Sequence, residues 1–343
     1  MYASNFVVIL FIISSVKTEE FFGNFTSRLY LNAFEALGET AFGAEEKIGR
    51  NIDLHELSFY VYTSENRGQE TKLDPLNPVE LTRGKGKIFF FLHGWIDAKK
   101  LNPWYNELTN KLLGMHKDAR IVQIDWEAGS FQDYGLAAYS TESIGRHLAT
   151  LINILVIDNH VPIEKFVLIG HSLGAQICGW TGKYFTKYTN QRLSRIIAFD
   201  PAGILFSERS DSRRLNRNDA KVVHVIHSDG GNLGFPEQCG TIDFFPNGGS
   251  KQPGCQHIDL KNPLKLFIEL VWCDHFRSFD YFLEAVNDRK LLVAKQCPNE
   301  EALESRSCYG TEVSLGDLET TREGIYFLET NSKPPFSKSS GRD

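Results

Sequence analysis

The chain has 343 residues, of which 42% are hydrophobic, and a formal net charge of −6. That length can bury a large core as one α/β domain or two smaller ones, so disorder is not the default expectation. The lack of a basic excess removes nucleic acid from the expected partners.

Residues 1–18, MYASNFVVILFIISSVKT, are an apolar run closing on small residues, the pattern of a secretory signal peptide and short for a membrane span. No later window stays apolar long enough to cross a bilayer, so the expected product is secreted, extracellular and at most peripheral to a membrane. Just behind the expected cleavage point, Asn24-Phe25-Thr26 forms a glycosylation sequon. The six cysteines (Cys178, Cys239, Cys255, Cys273, Cys297, Cys308) are an even set that in an oxidising compartment reads as three disulfides. Sequence alone admits fifteen pairings. A zinc site is the weaker reading, because no Cys-x-x-Cys pair occurs.

Short apolar runs then alternate with longer helix-like stretches. KIFFFLHGW (87–95), ARIVQIDW (119–126), KFVLIGHS (165–172), RIIAFDPAG (195–203) and KVVHVIHSD (221–229) are rich in β-branched and aromatic residues and read as buried strands. Between the second and third, from Leu136 to His160, Ile144, Leu148, Leu151, Ile152 and Leu155 recur at helical spacing. The alternation predicts a mostly parallel sheet flanked by helices. The tail after residue 336 is expected to fray.

With 165–170 as a strand and 173–186 as a helix, Ser172 falls on the bend between them, bracketed by Gly170 and Gly174. This is the Gly-x-Ser-x-Gly nucleophile elbow, where a tight turn lifts the hydroxyl above the sheet and the helix start offers N–H groups to an oxyanion. A serine needs a base to take its proton and a carboxylate to orient that base, in the order Ser, acid, His for α/β-hydrolases. Asp200 closes the next predicted strand, which Asp211, Asp219, Asp229 and Asp243 do less clearly. Among the later histidines, His224 and His227 share one strand and are expected to be packed or hydrogen-bonded there. His257 follows Cys255 closely, which leaves His275, placed on a loop leading into a helix, as the expected base. The second oxyanion donor is expected from FFFLHGW, where the N–H of Trp95 would stand beside that of Leu173.

The motifs FLHGW, IGHSLGAQ, FDPAG, NDAKVVHVIHSDG, DFFPNGGSKQPGC, CDHFRS and GIYFLETNSKPPF occur in one order, and with them the chain from about residue 50 to 336 resembles the pancreatic lipase family of secreted lipases and phospholipases A1, single-domain insect members included. The resemblance implies an α/β-hydrolase fold over 19–336, with Ser172 as nucleophile, Asp200 as acid, His275 as base, and Trp95 and Leu173 as oxyanion donors. It also implies that Cys255 pairs with Cys273 across a lid and Cys297 with Cys308, which leaves Cys178 to Cys239. In that lid, QHIDLKNPLKLFIELVW, the residues Leu264, Phe267, Ile268, Val271 and Trp272 can form one apolar face that covers the site in water and opens on lipid.

The expected reaction is hydrolysis of glycerolipid esters at a lipid interface, without cofactor. Phospholipid is slightly favoured over triacylglycerol, because the lid and the stretch DGGNLGFPEQCG are shorter than in the family's triacylglycerol lipases, although the lid is longer than its phospholipases A1 usually have. The chain ends soon after PPF, so neither the family's C-terminal β-sandwich nor a colipase-like partner is expected. Some relatives hold Ca²⁺ in the stretch matching SDSRRLNRNDAK, where Asp211 and Asp219 are present but Asn216 replaces a common carboxylate, which weakens a hard-cation site. Two rivals remain: a yolk-type lipid-binding protein of the same fold without turnover, and a soluble esterase.

Overall fold

The computed structural model describes residues 52–66, 69–101, 103–255 and 263–338. The expected signal peptide, Asn24, His257 and the last five residues lie outside them. Five of the strands read from sequence are present, as β3 (Ile88–Leu92), β4 (Arg120–Asp125), β5 (Phe166–His171), β6 (Leu193–Phe199) and β7 (Ala220–Ile226). They are preceded by β1 (Ser58–Tyr62) and β2 (Thr71–Lys72) and followed by β8 (Ile242–Pro246), β9 (Val293–Cys297), β10 (Glu312–Ser314) and β11 (Gly324–Leu328). All belong to one sheet in the order β10-β9-β11-β8-β7-β6-β5-β3-β4-β1-β2. The run from β4 through β3 and β5 to β8 and β11 is parallel, while both margins turn antiparallel.

A continuously apolar strand such as β3 needs cover on both faces, since its side chains alternate sides. Phe89 and Phe91 enter one core and Ile88, Phe90 and Leu92 the other. On the first side lie α1 (Pro103–Met115) and α5 (Pro263–Ala285), contributing Leu108, Leu112, Phe279 and Phe282. The second side is covered by α3 (Tyr134–Asn153) and α4 (Leu173–Thr189), through Ile144, Leu148, Ile177 and Phe185. The short helices α2 (Glu127–Ser130) and α6 (Glu300–Glu304) complete the set. Each fully buried Phe contributes about 1.5–3 kcal/mol of transfer free energy, so the two cores together overdetermine the register of the sheet. The helix expected from Leu136 to His160 is instead broken at 153, where the chain widens into a π-turn over Ile154–Asp158. Among the described residues no helix is long and apolar enough to cross a membrane.

The topology selects a place for chemistry. The chain passes from β3 to β4 on one side and returns to β5 on the other side of β3, so the crossovers diverge above the C-terminal ends of β3 and β5. Such a switch point leaves a crevice where loops from neighbouring strands meet.

The bridges Cys255–Cys273 and Cys297–Cys308 are formed. The expected third pair is not: Cys178 and Cys239 are both buried free thiols. Cys239 sits in a turn where its N–H donates to Asp243 Oδ1 at 3.0 Å. Its sulfur lies within 4.8 Å of a His227 ring nitrogen and an Asp243 oxygen, while Cys178 is packed in α4 with the core.

Candidate active site

Ser172 stands between β5 and α4 with φ 56° and ψ −120°, in the left-handed half of backbone space that a non-glycine residue occupies only when its surroundings compel it. The flanking glycines explain how. A Cβ on Gly170 would lie 2.4 Å from the Gly174 carbonyl carbon, and one on Gly174 would lie 2.2 Å from the Leu92 carbonyl oxygen. The bend is tied down by Ser172 N–H to Phe199 O at 3.0 Å and by Ala202 N–H to Ser172 O at 3.2 Å. Leu173 opens α4, so its N–H has no acceptor within the helix and the positive end of the dipole faces the crevice.

The loop after β3 is clamped from several sides. Trp126 Nε1–H donates to His93 O at 3.0 Å, Ile96 N–H to Ser130 O at 3.0 Å, and Trp95 Nε1–H to Gln132 O at 2.8 Å. Space for a Cβ on Gly94 is closed off by Ser172 Cβ at 3.1 Å, which measures how tightly this loop abuts the elbow. The loop that carries Trp95 therefore lies against the bend that carries Ser172 and Leu173.

Asp200 and His275, seventy-five positions apart, are brought into contact: His275 Nδ1–H donates to Asp200 Oδ2 at 2.5 Å, with both side chains buried. The other carboxylate oxygen accepts from the N–H groups of Ser228 at 2.7 Å and Asp229 at 3.1 Å. Contrary to the loop expected around it, His275 lies in mid-helix in α5. Its own carbonyl accepts from His171 Nε2–H at 3.2 Å and Ser278 Oγ–H at 3.1 Å. The ring of His171 is 4.4 Å from that of His275. Burial, with His275 beside it, holds His171 well below the usual imidazole range, so it adds no second positive charge there.

His275 Nε2 is buried without a hydrogen-bond partner and looks into an enclosed space shared with Ser172. The walls are Trp95, Tyr134, Ile204, Leu233 and Trp272, and the free volume is about 20 Å³. That holds a water or two and no acyl chain. Trp272 is the piece in the way: its ring lies 6.3 Å from Trp95, 6.1 Å from His275 and stacked at 5.8 Å on Phe276. The backbone of α5 also takes in Leu264, Phe267, Ile268 and Val271 as one helical stretch, and their side chains lie outside the described part. The substitution Trp272→Ala is expected to raise kcat/KM on a short-chain monomeric ester by roughly fivefold, the equivalent of about 1 kcal/mol of aromatic contact removed from the shut state. Steady-state rates below the micellar threshold check this, and no gain would show that Trp272 does not limit access to the pocket.

Two further carboxyls lie at the site: Asp229, weighed in the sequence only as a rival to Asp200, and Asp274, which the sequence did not single out. Asp229 has ligand atoms within 4.8 Å of those of Asp200 and His275. Burial first, and Asp200 second, push its carboxyl well above the ordinary range. Its oxygens accept from Asn232 Nδ2 at 3.1 Å and Leu233 N–H at 3.2 Å. Burial likewise lifts Asp274 to about 6. The rival histidines fall where packing was expected. His224 stacks on Phe244 at 4.7 Å, and His227 bonds Asp243 Oδ1 at 2.9 Å and Phe235 O at 2.9 Å. Among the residues matching a calcium loop, both Asp219 carboxylate oxygens and the Asn216 amide oxygen are engaged by donors of the chain itself and Asp211 Oδ1 pairs with Arg214, which makes a poor set for a hard cation.

A mostly parallel sheet with an elbow serine after β5, an aspartate after β6 and a histidine on the helix that follows β8 defines an α/β hydrolase. Sequence comparison narrows the class: the Lipase family profile matches residues 34–336, and the chain belongs to that family. It is 31% identical over 303 residues to "Phospholipase A1 2" of Dolichovespula maculata, covering 84% of this chain and 96% of that one. It is 31% identical over 310 residues to the pancreatic triacylglycerol lipase of Cavia porcellus, covering 82% of this chain and 64% of that one. With "Inactive pancreatic lipase-related protein 1" of Homo sapiens it shares 32% identity over 284 residues, 77% of this chain and 57% of that one. The chain thus spans little more than half the length of some relatives and nearly all of others.

Proposed function

We propose that the protein hydrolyses fatty-acyl esters of glycerolipids through an acyl-enzyme on Ser172. The observation that carries this is the buried, unpartnered Nε2 of His275 facing the pocket of Ser172 while Nδ1 is held by Asp200 at 2.5 Å. That tautomer leaves Nε2 as the proton acceptor. As Ser172 Oγ attacks the ester carbonyl, its proton passes to Nε2, and the Asp200 carboxylate stabilises the imidazolium. The N–H groups of Trp95 and Leu173 receive the oxyanion. The imidazolium then protonates the leaving glyceride oxygen, and a water activated by the same nitrogen releases the fatty acid.

Lipid rather than a polar ester is supported by the lining, which apart from Ser172 and His275 is Trp95, Tyr134, Ile204, Leu233 and Trp272. Phospholipid is preferred over triacylglycerol on the short lid and on the nearly end-to-end match to the wasp phospholipase. Because one relative carries the word inactive in its name, the lipid-binding alternative is put to a chemical test. A fluorophosphonate is expected to label Ser172 covalently, and fatty acid to be released faster from phosphatidylcholine than from trioleoylglycerol. Binding of both lipids with no labelling and no release would establish the carrier instead. Faster release from trioleoylglycerol would reverse the substrate preference alone.

A further inference from the structure

The helix that begins at the elbow is also the seat of a second buried charge cluster. On α4, Gly179 and Gly182 let the 209–219 loop press onto the helix: a Cβ on Gly182 would lie 2.1 Å from the Asp219 carbonyl oxygen, and one on Gly179 would lie 2.8 Å from Leu215 Cα. Lys183, one turn beyond Gly179, reaches into the loop from that face. Its Nζ lies 2.5 Å from Asp219 Oδ1, with side-chain exposures of 17% and 3%.

Most of the oxygens that a cation would need here already have partners in the chain. Asp219 Oδ2 accepts from Asn216 N–H at 2.9 Å. Asn216 is turned so that its amide donates, to Asp211 O at 2.7 Å and Asp219 Oδ1 at 3.3 Å, while its own Oδ1 accepts from Asn218 N–H at 2.8 Å. Asp211 Oδ1 pairs with Arg214 at 2.6 Å. Calcium gathers six to eight oxygens from carboxylates, carbonyls and water, and here the Asp219 carboxylate and the Asp211 carbonyl are already held by donors of the chain.

We infer that Lys183 is the resident cation of this loop, an internal ammonium that fastens Ser210–Asp219 to the nucleophile helix so that the attachment needs no divalent metal. The fastening reaches the elbow: Gln176 Oε1 accepts from Leu215 N–H at 2.8 Å, Gln176 Nε2 donates to Ala202 O at 2.8 Å, and Ala202 N–H donates to Ser172 O at 3.2 Å. Burial lifts the Asp219 carboxyl to about 6 and lowers the Lys183 ammonium from the usual lysine range, while the attraction between the two charges opposes both shifts. Removing one partner of such a pair strands the other charge in the interior.

Thermal unfolding of the full chain tests this without reference to any substrate. The wild-type midpoint is expected to be the same in millimolar CaCl₂ and in EDTA. Lys183→Met, which keeps the stem and loses the charge, is expected to unfold about 6–12 °C lower, and Lys183→Arg to lose less than half as much. A saturable rise of the wild-type midpoint with calcium would overturn the inference. So would a Lys183→Met protein as stable as wild type, or equal losses for Met and Arg, which would assign packing rather than charge to the residue. The calcium comparison uses the unmutated chain, so it decides even if Lys183→Met does not fold; failure of Met to fold while Arg folds supports the inference.

Discussion

Ser172→Ala is expected to lower turnover of glycerolipid esters by about 10⁶-fold while leaving the fold intact. In barrier terms that is about 8 kcal/mol. The magnitude follows from the division of labour at the site. Without the hydroxyl no acyl-enzyme forms, and what survives is binding and the oxyanion donors acting on water. Stability should hardly move, because alanine keeps the Cβ, and the bond from Ser172 N–H to Phe199 O is made by the backbone. The side chain is nearly buried and caps no helix, so little packing is lost. Initial rates on phosphatidylcholine, together with a melting curve, check both halves. Activity within tenfold of wild type in a folded variant would mean that the proton acceptor at His275 serves some other reaction.

The second large effect is structural. Gly174→Ala is expected to cost more than about 4 kcal/mol and to give little soluble protein. The new Cβ would stand 2.2 Å from Leu92 O and 2.6 Å from His93 O, both backbone atoms. Leu92 cannot retreat, since it is paired on one side with Ile124 and on the other with Gly170 in the middle of the sheet. The helix would have to lift off, and with it Ser172 and Leu173. The contrast is Gly114, where a Cβ meets nothing within 4 Å and alanine should be neutral or slightly stabilising. Soluble yield and urea midpoints of the two variants check the claim, and a Gly174→Ala protein as stable as wild type would show that the elbow tolerates wider spacing.

What could be read in advance follows the range of the interaction involved. The strands at 88–92, 120–125 and 166–171 are buried along their length, and continuous apolar runs announce that locally. The elbow was legible for the same reason, as glycine, serine and glycine at fixed spacing describe a bend of a few residues. His275 was assigned from chain order, but its setting was misread: LKLFIELVWCDHFRSFDYF contains no helix breaker, and the helix runs through the lid cysteine and the histidine without interruption. Pairing Cys178 with Cys239 assumed that an even count closes in pairs, whereas the turn at Asp243 holds Cys239 by its backbone and leaves its thiol free. Asp229 and Asp274 look like ordinary loop acids until the fold places them near Asp200, which raises both after burial has done most of the work. Lys183 had a local signal that went unused, two glycines three apart followed by a lysine on the same helical face.

A single rod, α5, carries Trp272 at the mouth and His275 at its heart, three positions apart. Two restraints separate them mechanically: Cys273 is stapled to Cys255, and the His275 carbonyl is clasped by His171 and Ser278. A change of length or polarity on the far side of the staple is therefore expected to leave the contact between His275 and Asp200 in place.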